Sequence, residues 1–184
     1  MNSTRFSKRA TSLALASLFG VGAVVVSPAA LAGSAQQNLA VSASVTANCT
    51  ISTAAVAFGT YDPVSANASA ALPGNGSVTV ACTKGSAPNI TLDLGSNASG
   101  STRRMKAGTE FLSYELYQPA NTTPGTACAG TETQVWGSTG SAIFTPTAPG
   151  SKSARTYNVC GTVAGGQDVS VGTYNDTVVA TVNF

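Results

Sequence analysis

Four cysteines, Cys49, Cys82, Cys128 and Cys160, and seven carboxylates are the side chains here most able to do chemistry, and the chain has no histidine. Without imidazole it cannot build a Ser-His-Asp or Cys-His nucleophile, an imidazole general base or a His-ligated metal site. The cysteines are separated by 32, 45 and 31 residues. That spacing contains no C-x-x-C pair, and zinc would have to be held by thiolates alone. An even count in an exported chain reads instead as two disulfides, for which four cysteines permit three pairings.

The carboxylates carry no catalytic signature. Asp62, Asp168 and Asp176 lie beside turn residues, where Asp caps the backbone. Glu110 and Glu115 fall on or beside a strand, with Glu115 at an outward, solvated position, and no local motif suggests the carboxylate pair of a glycosidase. Arg103-Arg104 with Lys106 reads as a solvated basic loop, and Trp136 as packing rather than a sugar platform. No catalytic, metal or cofactor site is expected.

The elements that position these residues begin after a leader. Arg5, Lys8 and Arg9 precede an uncharged apolar run from Leu13 to Val26, then Ser27-Pro28-Ala29-Ala30-Leu31-Ala32. Small residues at positions −3 and −1 of a cut after Ala32 mark residues 1–32 as a secretory signal peptide, and the run is shorter than the roughly 20 residues a spanning helix needs. The mature chain, Gly33 to Phe184, keeps six of the nine basic side chains against seven acidic ones. So sparse and balanced a charge offers no footprint for nucleic acid or anionic lipid.

Beyond the leader the sequence is punctuated as all-β. Val78, Val80 and Cys82 share one parity, as do Ile90, Leu92 and Leu94; Leu112, Tyr114 and Leu116; Tyr157, Val159, Gly161 and Val163; and Val178, Ala180, Val182 and Phe184. Each set places one strand face in a core. Leu72 to Gly76, Gly95 to Gly100 and Pro119 to Gly130 read as loops. Six or more short strands without a helical period suggest a two-sheet, immunoglobulin-like sandwich.

One run is too long for that sandwich. Leu39, Val41, Ala43, Val45, Ala47, Cys49 and Ile51 alternate with polar or small residues, uninterrupted by Gly or Pro. At about 3.3 Å per residue it extends some 40 Å, beyond the usual 5–10 residues of a strand. Either two successive strands bend near Asn48 within one domain, or residues 36–47 form a strand donated to another subunit, with Cys49 opening the first strand of the home domain.

The chain resembles the spore coat protein U domain family, the subunits of archaic (Csu-type) chaperone–usher pili. The resemblance rests on Ala47-Asn48-Cys49-Thr50-Ile51-Ser52, Phe58-Gly59-Thr60-Tyr61-Asp62-Pro63, Val78-Thr79-Val80-Ala81-Cys82-Thr83-Lys84-Gly85, Leu112-Ser113-Tyr114-Glu115-Leu116-Tyr117, Trp136-Gly137 and the ending Gly172-Thr173-Tyr174-Asn175-Asp176-Thr177-Val178 through Val182-Asn183-Phe184. It implies an incomplete immunoglobulin-like β-sandwich over residues 48–184 that lacks its last strand and is completed by donor-strand exchange. The donor is expected within residues 33–47, with Leu39, Val41, Ala43 and Val45 facing inward. The acceptor groove is expected between the first strand near Cys49 and a final strand carrying Val178, Ala180, Val182 and Phe184.

The resemblance also implies a Cys49–Cys82 disulfide. Cys128 and Cys160 fall outside the family's minimal pattern and, given that implied pair, are expected to bond to each other as the two that remain. The implied partners are identical or related pilin subunits, a periplasmic chaperone and an outer-membrane usher, with no nucleic acid or small-molecule substrate; the implied destination is a surface fimbrium for adhesion and biofilm formation. The alternative is a monomeric secreted or tip adhesin sandwich that binds a surface ligand itself.

Overall fold

The structure, a computed structural model, describes residues 32–184, so the expected leader lies outside it but for Ala32. Residues 32–42 fall in a unit separate from Ala43–Phe184; they form no regular element and are exposed throughout. The second unit holds seven strands: β1 (Cys49–Ala57), β2 (Leu72–Cys82), β3 (Asn89–Leu92), β4 (Arg103–Ala107), β5 (Glu110–Tyr117), β6 (Arg155–Val163) and β7 (Ala180–Asn183). Among the described residues the one helical element is a single 3-10 turn, Gly140–Ala142, and no helix is long and apolar enough to cross a membrane.

The strands pair antiparallel into a five-stranded sheet, ordered β1-β2-β6-β5-β4, and a two-stranded sheet, β3-β7. Phe144 flanks β3 on its other side, exchanging both backbone hydrogen bonds with Ile90 at 2.8 and 3.0 Å. The alternating apolar positions meet between the sheets: Val78, Val80, Tyr157 and Val159 from one, Ile90 and Leu92 from the other, closed by Trp136 and Phe144. Burial of such a set supplies the main driving force for folding.

Two expected loops are strands. Leu72 to Gly76, read as a loop from its Pro and Gly, is the start of β2. Pro73 is tolerated because β1's ladder with β2 has already ended at Ala57↔Asn75, leaving Pro73 on a locally free edge. The glycines serve close packing. Gly74 lies directly opposite Gly161, and with Gly76 they leave the inner face of the sheet without side chains. A bulge between Ala54 and Ala57 re-aims the end of β1, so that Val56 and Phe58 lie in this trough. A Cβ on Gly74 would come within 2.5 Å of the Phe58 ring, and one on Gly161 within 2.8 Å of both Phe58 and Val56.

The basic run Arg103-Arg104-Lys106 is likewise not a loop but β4, the outer strand of the larger sheet. Alternation was hidden there because the inward residue is Arg103, a charge.

Gly161→Val should expel Phe58 from the trough and destabilise the domain by about 1–3 kcal/mol, read as a lower urea midpoint. Adding Phe58→Ala should cost less than the sum of the single changes. Unchanged stability in Gly161→Val would show that the trough is not a packing requirement.

Candidate functional site

β1 ends the larger sheet and β7 is an edge of the smaller one, so each is hydrogen-bonded on one side only. Between them opens a cleft of about 370 Å³ with walls of mixed polarity over an apolar floor. Thr53–Val56 and Phe58 form one wall, Tyr174–Val178 with Ala180 the other, and the core residues Val78, Leu92, Leu116 and Val159 the floor. A second cavity of about 720 Å³ lies beyond Phe58, toward Tyr61 and Val169, and shares Val56, Phe58, Met105, Tyr174 and Asn175 with the first. The core is therefore reachable from the side, between two edges whose outer backbone groups are unpaired.

Each wall is fixed from behind. The Cys49–Cys82 disulfide ties β1 to β2 at directly paired positions. The opposite wall is held by backbone pairs between Lys106 and Asn175 (2.9 and 3.1 Å) and by Ser96 N–H donating to Thr177 O (3.1 Å). The Asp93 carboxylate accepts from Val179 N–H and from Gly95 N–H, both at 2.9 Å. Asp176 accepts from the Tyr114 hydroxyl at 2.7 Å and from Asn97 N–H at 3.1 Å. Gly95 sits at φ 84°, and a Cβ there would lie 2.0 Å from the Asp176 carboxylate, so this turn admits only glycine.

Beneath the wall lies a buried cation. Arg103 is fully buried and ion-paired with Glu115. Its Nε and Nη2 donate to Asp93 O at 3.1 and 2.7 Å, and Nη2 also to Trp136 O at 2.7 Å. A guanidinium so enclosed persists only because its donors are matched. Glu115 is therefore the counter-ion of a buried arginine and not a member of a solvated face; strand parity could not reveal a partner on the neighbouring strand. Trp136 is buried completely, its indole N–H donating to Ile90 O at 3.0 Å, and serves as packing. Asp62 caps its turn by accepting from Val64 and Ser65 N–H, both at 3.0 Å.

Cys128 bonds to Cys160, tethering the loop after β5 to β6. Glu132 approaches this pair, but the sulfurs are committed to each other and the carboxylate accepts from Ala129 and Gly130 N–H at 2.6 and 2.9 Å, so the group is a turn and not a metal site. Of the expected edge residues, Ala180 and Val182 lie on β7 with half-buried side chains, while Val178 precedes it and Phe184, 56% exposed, follows it. β7 thus does not reach Val178 or Phe184, and at Val179 the backbone N–H turns to the Asp93 carboxylate instead of a backbone carbonyl. Leu39, Val41 and Val45 are 85–88% exposed, and Ala43 is exposed as well. Asp93, the Tyr114–Asp176 pair and the glycine trough escaped sequence reasoning. Only the juxtaposition of Asp93, Gly95 and a later Asp-Thr-Val hinted at them.

Residues 35–181 match the Spore Coat Protein U domain. The chain belongs to that family. Within reach of this family member is "Protein U" of Myxococcus xanthus, 38% identical over 185 residues that cover 93% of this chain and 97% of that protein. Among solved structures it is similar to a chain in the CsuC–CsuE chaperone–tip adhesion subunit pre-assembly complex from archaic chaperone-usher Csu pili of Acinetobacter baumannii, with 25% identity and a TM-score of 0.52. That match covers 76% of this chain and 40% of the other, so this chain spans under half the length of the one it matches. The likeness agrees with an all-β, immunoglobulin-like fold.

Burial first, and then the hydrogen bond to Asp176, raises the Tyr114 hydroxyl above its ordinary value. Its native pKa exceeds the unfolded one near 10, so the unfolded chain releases this proton first and stability must fall as pH rises past about 10. Tyr114→Phe should make the urea midpoint drop less between pH about 9 and about 11. An equal drop in both proteins would contradict the assignment.

Proposed function

We propose that the chain is a structural subunit of a chaperone–usher pilus, exported by its leader, and that its cleft receives a β-strand from another chain. In the periplasm a chaperone strand fills the cleft. At the outer-membrane usher the N-terminal segment of the next subunit replaces it, giving a surface fibre for adhesion and biofilm formation. Residues 33–47 are the donor, with Leu39, Val41, Ala43 and Val45 entering the cleft, and β1 and the 178–184 segment take up its backbone hydrogen bonds.

The observation that carries this reading is a pair of complementary deficits. The folded unit has two free strand edges flanking a cleft with an apolar floor, and the same chain holds an alternating segment whose apolar residues are exposed. Strand addition to an exposed edge satisfies both, the main chain supplying affinity and alternate side chains specificity. Burying Leu39, Val41 and Val45 at about 1.5–3 kcal/mol each amounts to a sizeable part of a domain's stability.

The mature chain should form heat-resistant polymers, and the chain lacking residues 33–47 should not. Val41→Asp should block polymer formation while leaving chaperone binding intact, since the chaperone occupies the cleft and not the tail. Polymers from the truncated chain, or a stable monomer from the full mature one, would sink the reading.

A further inference from the structure

The strand register gathers Lys84, Lys152 and Arg155 at one end of the folded unit and leaves a small acidic excess at the other. Cys49 pairs with Cys82 and Val80 with Arg155, so the start of β1, the end of β2 and the start of β6 share one pole. The loops 83–88 and 143–154 there carry Lys84 and Lys152 and no acidic side chain, and β6 opens on Arg155. They are linked by Gly85 N–H donating to Pro149 O at 3.0 Å, and both lysines are exposed. β7 also ends at this pole, Asn183 pairing with Asn89.

The other pole is where β1 ends, Leu72 pairs with Val163, and Ala107 pairs with Glu110. Asp62, Glu110 and Asp168 lie here against two cations, Lys106 and Arg104, whose guanidinium stacks on Phe111, so the acidic excess is one formal charge, and Asp168 is exposed. Of the other charges, Glu115 pairs with Arg103, while Asp93, Asp176 and Glu132 keep their charge but are turned onto backbone N–H groups of the same unit.

We propose that these poles are the two halves of a head-to-tail contact between successive copies of this chain, the basic pole of one against the acidic pole of the next. This rests on the strand-exchange reading. The donor segment joins the folded unit at the basic pole, where Asn48 N–H donates to Thr83 Oγ1 at 3.1 Å. The wide cavity beyond Phe58 opens at the acidic pole, beside Tyr61 and Val169. A strand leaving one pole and entering the neighbour near the other brings opposite charges together. Such complementarity acts mainly on encounter rate and on rejection of the reversed orientation, and it fits a heterologous interface that repeats without closing.

The test compares polymer formation by the mature chain and by Lys84→Glu/Lys152→Glu, in about 20 mM and about 0.5 M salt. The variant should assemble at least about fivefold more slowly in low salt, with the difference lost in high salt. Adding Asp168→Lys and Glu110→Lys to it should recover most of the rate. Wild-type polymers together with an unslowed double variant in low salt overturn the polar contact and leave strand exchange standing. A wild-type chain that stays monomeric in both salts overturns strand exchange and the polar contact with it.

Discussion

A backbone N–H or C=O must find a partner or water, and a strand edge beside an apolar cleft offers neither in full. The rest of this structure depends on that constraint. β1 and β7 close opposite sides of an opening onto Val78, Leu92, Leu116 and Val159, and neither edge is blunted by an inward-pointing charge, a proline or a covering helix. On the strand-exchange reading this opening is the vacancy of one missing strand. Assembly then completes a fold and does not merely join two finished surfaces.

Such an opening has to hold its shape before it is filled. Side chains that have no role in binding do this work here. Arg103 gathers Asp93, Trp136 and Glu115 into one point behind the cleft, and Asp93 in turn fixes Val179 just ahead of β7. Tyr114 and Asp176 brace the same wall. On the facing side Val56 and Phe58 rest on backbone at Gly74, Gly76 and Gly161, which brings β1's end inward to form a wall. Buried polar links of this kind contribute definition more dependably than stability.

The strands most legible in the sequence were those with one apolar parity: β2 from Val78, β3, β5 and β6 all follow alternation. The start of β1 at Cys49 was legible because the alternating run exceeded the usual length of one strand. What alternation could not reach was the trough, since glycine in a strand and glycine in a turn look alike until the facing side chain is known. The same holds for β4, whose inward residue is an arginine matched by a glutamate twelve positions later. Pairings across strands set these features, and a single sequence carries no register. A groove was expected between the first strand near Cys49 and the final strand; the cleft in the structure runs along Thr53–Phe58 and Tyr174–Ala180, where the bulge in β1 turns Val56 and Phe58 inward.

The most direct measurement adds a synthetic peptide of residues 36–47 to the chain lacking residues 33–47 and follows amide hydrogen exchange at 53–58 and 178–183. Filling the cleft by strand addition requires slower exchange along both segments together, with a higher melting temperature and no change in the β5–β6 ladder. Exchange that is unaltered, or slowed along one segment alone, would contradict completion of the fold by a donated strand.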